Sequence, residues 1–109
     1  MGSYAIKNLA NGQLPNAKGT LYTVPASTDT IVRSIVLVNT NTTAEAVNLY
    51  FCPNAGTSVR LIPKDLSLGI GYSLVFDVPV TMGTAGDLIQ GDATTAAKVD
   101  YTISGVEYV

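Results

Sequence analysis

The 109 residues are the size of one domain and carry a net charge of −2, with only 13% Asp, Glu, Lys and Arg against about 25% in ordinary soluble domains. The 6 Lys and Arg form no cluster, which excludes the concentrated basic face that nucleic-acid binding needs, and no apolar run approaches the length of a membrane span. With no histidine and the single cysteine Cys52, a Ser-His-Asp or Cys-His site and an intramolecular disulfide are both excluded.

Period-2 alternation and β-branched residues, 12 Val and 13 Thr, run through the whole chain. Eight strands are expected, at 3–8, 19–24, 30–39, 45–52, 57–63, 72–78, 87–92 and 97–109. Residues 9–18, rich in Asn, Gly and Pro, read as an extended surface segment between the first two. In the strand at 30–39, Ile31, Ile35 and Leu37 alternate with Val32, Val36 and Val38. Both faces are therefore apolar, which marks a central strand or one whose second face meets another subunit.

Val47, Leu49 and Phe51 alternate with Asn48 and Tyr50, and Leu74 and Phe76 with Ser73 and Asp77. Val99, Tyr101 and Ile103 alternate with Asp100, Thr102 and Ser104. These eight apolar residues are the predicted core, with a bulge expected at Gly105, where Val106 and Tyr108 fall out of step. Only Lys64–Leu68 reads as a conceivable helical turn. Breakers about every ten residues, with no helical stripe and no second composition regime, predict one all-β sandwich domain over residues 1–109.

Nothing in the chain reads as a catalytic or cofactor motif. Ser58 and Ser73 lack the final glycine of a nucleophile elbow, and Gly69-Ile70-Gly71 lacks both the third glycine and the helix of a dinucleotide loop. Asp65, Asp77, Asp87, Asp92, Asp100 and Glu107 fall beside turns or on solvent faces, and no calcium loop is present. No enzyme activity, cofactor or metal is expected. The low charge instead leaves Thr, Ser, Asn and apolar groups to cover the surface, which suits a subunit that associates. Candidate contact residues are Tyr4, Ile6, Tyr72, Val106, Tyr108 and Val109, large groups at strand ends and at the termini.

The ordered segments LYTVPAS (21–27), TIVRSIVLVNTN (30–41), AVNLYF (46–51), RLIPKDLSL (60–68), GDLIQGDA (86–93) and VDYTISGVEYV (99–109) resemble small virion proteins of tailed bacteriophages. This resemblance covers about 90 residues. It implies a jelly-roll-like sandwich that assembles with itself, a trimer being favoured, and with a major capsid or other virion protein. It implies a place in the virion after assembly in the bacterial cytoplasm, and no catalytic residue. Capsid decoration is the preferred role, because the chain shows no coiled-coil heptad and no long insertion. A tail, neck or fibre component and a carbohydrate-binding module stay open.

Overall fold

The computed structural model describes residues 2–109. Ten strands run in chain order: β1 (Tyr4–Gln13), β2 (Gly19–Thr23), β3 (Asp29–Asn39), β4 (Glu45–Cys52), β5 (Val59–Arg60), β6 (Leu66–Leu68), β7 (Ser73–Phe76), β8 (Val80–Met82), β9 (Leu88–Ala93) and β10 (Val99–Tyr108). All pairings are antiparallel. The first sheet has the order β1-β10-β3-β7, with β8 also on β3; the second has β2-β9-β4-β5, with β6 also on β4. Successive long strands fall in opposite sheets, and the outermost pairs of the sequence, β1 with β10 and β2 with β9, are neighbours in space. That is the jelly roll, two Greek keys rolled into a sandwich.

The eight expected strands become ten because two short ones, β6 and β8, form outside the expected ranges. The strand at 57–63 shrinks to β5, and the conceivable helical turn at Lys64–Leu68 ends in β6, with Asp65 in the left-handed region at φ 52°. Asn48 explains the interruption between them. Its side-chain amide donates to Asp65 Oδ1 at 3.0 Å and Asp92 Oδ1 at 2.8 Å, while its Oδ1 accepts from Arg60 at 2.6 Å and from the Asp65 N–H at 2.9 Å. The segment is pinned by side chains instead of a continuous ladder. β8 fills the rest of the β3 edge that β7 leaves free. Residues 9–13, expected to be surface loop, continue β1 along β10, and Leu14 just beyond them is fully buried.

The core lies between the sheets. Val47, Leu49, Val99 and Ile103 are fully buried as predicted, whereas Phe51, Leu74, Phe76 and Tyr101 pack against that core only in part. β7 is a four-residue edge strand, and among the described residues no strand pairs beyond it, in keeping with the partial burial of Phe76. Phe76→Ala is therefore expected to cost about 2 kcal/mol in a urea melt, short of the 3–5 kcal/mol of a fully buried Phe.

Two of the acids expected beside turns or on solvent faces are buried. Asp87 accepts the backbone N–H groups of Asn54 at 2.8 Å and Thr84 at 3.2 Å, tying the β4–β5 loop to the turn before β9. Glu107 points between the sheets, for the reason that follows.

Candidate interaction surface

β10 keeps a strict alternation to its end: Val99, Ile103, Gly105 and Glu107 face inward, and Asp100, Thr102, Ser104, Val106 and Tyr108 outward. The expected phase change at Gly105 is thus not in β10. It sits in both neighbours. On β3, Ser34 pairs with Ser104 and Val32 with Gly105, leaving Arg33 as an extra residue. On β1, Asn8 pairs with Ser104 and Ala10 with Ile103, leaving Leu9 extra. The two bulges pinch Gly105 so closely that a Cβ there would lie 2.2 Å from the Ile31 carbonyl oxygen and 2.8 Å from a Leu9 methyl. Past the Arg33 bulge the phase of β3 has flipped, so Val32 is core and Ile31 faces outward, opposite to Ile35 and Leu37.

The end of the first sheet beyond these bulges is polar inside and apolar outside. Inside, the Tyr22 hydroxyl donates to Glu107 Oε2 at 2.6 Å and lies 2.9 Å from Thr30 Oγ1, and Lys7 Nζ donates to Glu107 Oε1 at 3.0 Å. The Tyr22 hydroxyl, with Lys7 behind it, holds Glu107 below the usual carboxylate range against the opposing effect of burial. Burial, reinforced by the Glu107 carboxylate, pushes the Tyr22 phenol up to about 12.

Outside, Ile6, Val106 and Ile31 form a row across β1, β10 and β3, extended by Thr81 on β8. Tyr4 and Tyr108 sit opposite one another on the next row, ring centroids 4.5 Å apart and tilted by 47°. Val106 separates two shallow hollows. One, of about 600 Å³, lies against Ile6, Asn8, Arg33 and Ser104; the other, of about 430 Å³, lies between Tyr4, Tyr108, Asp29 and Thr81. Exposure reaches 91% at Ile6 and 76% at Tyr4. Val38 and Val75, exposed further along the same outer face, extend it past the bulges.

Of the candidate contact residues, Tyr4, Ile6, Val106 and Tyr108 gather on this end. Val109 joins them through paired backbone bonds to Ser3 of 2.8 and 2.9 Å. Tyr72 does not. It is 69% exposed but lies in the turn before β7, its carbonyl accepting from Asn39 at the opposite end of β3. Ile31 was missed as an outward residue; the polar pair Arg33-Ser34 interrupting an apolar run was the available signal. The surface offers no nucleophile with a base, and among the described residues no three Cys, Asp or Glu side chains come together to hold a metal ion. The Tyr4 and Tyr108 rings are tilted to one another and do not form one flat surface.

No protein-family model and no curated protein sequence matches the chain. Solved structures do share its fold. A subunit of Bacillus endospore appendages, described as disulfide-linked pili, superposes with a TM-score of 0.56 at 16% identity, over 100% of this chain and 87% of that one. A chain of the capsid of Helicobacter pylori bacteriophage KHP30 gives 0.53 at 13% identity, over 100% and 94%. The fold is one used by capsid and appendage subunits. Infectious bursal disease virus, Gx strain, gives 0.53 at 11% identity over 99% of this chain, which spans only 32% of that longer protein.

Proposed function

We propose that this chain is a non-enzymatic structural subunit of a bacteriophage virion, a capsid decoration (cement) protein that acts by packing against other protein chains. The observation that carries the reading is the inverted end of the first sheet. Folding places a Lys-Glu-Tyr-Thr network inside and leaves Ile6, Ile31, Tyr4 and Tyr108 exposed around a half-buried Val106. That arrangement gains its full hydrophobic return only when a partner covers the outer face. The shared fold with a phage capsid chain of nearly the same length supports a place on the shell, in preference to a tail, neck or fibre. The partner is then the major capsid protein or another virion protein, met after synthesis in the bacterial cytoplasm.

The test is attachment. The double variant Ile31→Lys, Val106→Lys places two charges on the outer face and leaves the interior network untouched. Its thermal melt is expected to stay within a few degrees of the parent, while co-sedimentation with particles lacking the protein is lost. Normal attachment of the variant would remove this face from the interface. A parent chain that stays monomeric and never co-purifies with a virion would end the assembly reading.

A further inference from the structure

β1 is an edge strand. Among the described residues it pairs with β10 on one side and with no strand on the other. Ser3 and Val109 exchange both backbone bonds, at 2.8 and 2.9 Å, so they form a hydrogen-bonded pair of the antiparallel ladder. With Tyr4 opposite Tyr108 and Ile6 opposite Val106, alternation makes Ala5–Glu107 and Lys7–Gly105 the next such pairs. The N–H and C=O groups of Tyr4, Ile6 and Asn8 therefore point to the free edge. Of the usual guards against strand addition, this edge carries an inward-pointing charge and a nearby bulge, and neither interrupts Tyr4–Asn8. This stretch has no proline, its one charge, Lys7, is turned inward onto Glu107, and the Leu9 bulge comes only after it. Ile6 is also the most exposed large apolar residue because the row Ile31–Val106–Ile6 stops at the edge, where a cross-strand neighbour is absent.

We infer that a second copy of this chain supplies that neighbour, through antiparallel pairing of the two β1 strands about a twofold axis at Ile6. The straight segment before the bulge is Tyr4–Asn8, and Ile6 is its midpoint. In this register Ile6 meets its own copy, Tyr4 meets Asn8, and the three residues with outward backbone groups all form hydrogen-bonded pairs. Lys7 lies opposite Ala5, so no like charges face each other. A register one residue later would set Lys7 against Lys7, and one residue earlier would lose a hydrogen-bonded pair. The product is a continuous sheet whose apolar row runs unbroken through both subunits. This inference rests on the reading that the chain works by assembly, but gives it a twofold contact in place of the trimer that the resemblance implies.

Sedimentation equilibrium of the intact protein at micromolar to millimolar concentration should give twice the 11.4 kDa chain mass. Ile6→Pro removes an N–H that only the second copy uses, and Ile6→Lys restores a guard. Both variants are expected to be monomeric with unchanged circular dichroism and melting. Amide exchange gives a second readout on the unaltered chain. Protection at Tyr4, Ile6 and Asn8 should rise with concentration, while Ala5 and Lys7 stay protected throughout. A monomer at every concentration, a trimer, or a dimer that survives both variants overturns the pairing. Particle attachment separates the two proposals: a dimer that never joins a virion sinks only the virion role, and a monomer that joins one sinks only the pairing.

Discussion

Replacing Gly105 by valine is expected to cost about 3 kcal/mol or more, the upper end of what overpacking does to a closed interior. The backbone at Gly105 is not in the left-handed region, so the glycine is needed for space and not for its torsional freedom. What occupies the space is mostly main chain. The Ile31 carbonyl oxygen would lie 2.2 Å from the new Cβ and Val32 Cα 3.1 Å, and neither can rotate away as a side chain could. Relief requires β3 to move off β10 where Arg33 bulges, undoing the phase flip that buries Val32 and exposes Ile31. Ser104→Val is the control. Ser104 faces outward between Asn8 and Ser34, and its replacement should change stability by less than about 1 kcal/mol. Chemical denaturation of both variants measures the contrast, and similar losses would show that Gly105 is not pinched as described.

The same site shows where the sequence was legible and where it was not. Strands β3, β4, β9 and β10 were readable because each runs for six or more residues between breakers, long enough for alternation or β-branched enrichment to register. β5, β6 and β8 were not, because two or three residues carry no period, and the side-chain bonds of Asn48 decide the path there. Gly105 was legible as an irregularity but not as to which strand yields. A phase break in one sequence can be a bulge in that strand or in its neighbours, and only pairing tells them apart. Had β10 itself shifted, Val106 and Tyr108 would be core and Glu107 exposed. Since β1 and β3 carry the extra residues Leu9 and Arg33, the opposite holds. The candidate contact residues were chosen for size and position near the termini, so the sequence could not show that they share a face, nor that Tyr72 lies apart.

Removing the Glu107 carboxylate is the second large effect expected. Glu107→Ala takes away the 2.6 Å bond from the Tyr22 hydroxyl and the 3.0 Å contact with Lys7 together, leaving a buried phenol with Thr30 as its remaining partner. A loss of about 2–4 kcal/mol is expected, most of it from Tyr22, since Lys7 is half exposed and its ion pair is screened by water. The pH dependence identifies the group. Because the fold holds the Glu107 carboxyl below its ordinary value of 4.5, its contribution is full above that pH and is lost as the pH falls through the lowered folded-state value. Tyr22 acts at the other end. Its phenol, pushed up from 10.0 to about 12, favours the fold while neutral, and that contribution is lost as the pH rises from 10 towards 12. Glu107→Gln should flatten the acid limb of a stability profile and bring the Tyr22 midpoint down, because the neighbouring negative charge is gone. Tyr22→Phe should abolish its alkaline component and bring the Glu107 value back towards normal. If Glu107→Gln leaves both limbs unchanged, the carboxylate is not the centre of the interior network, and the polar-inside, apolar-outside account of this end of the sheet loses its basis.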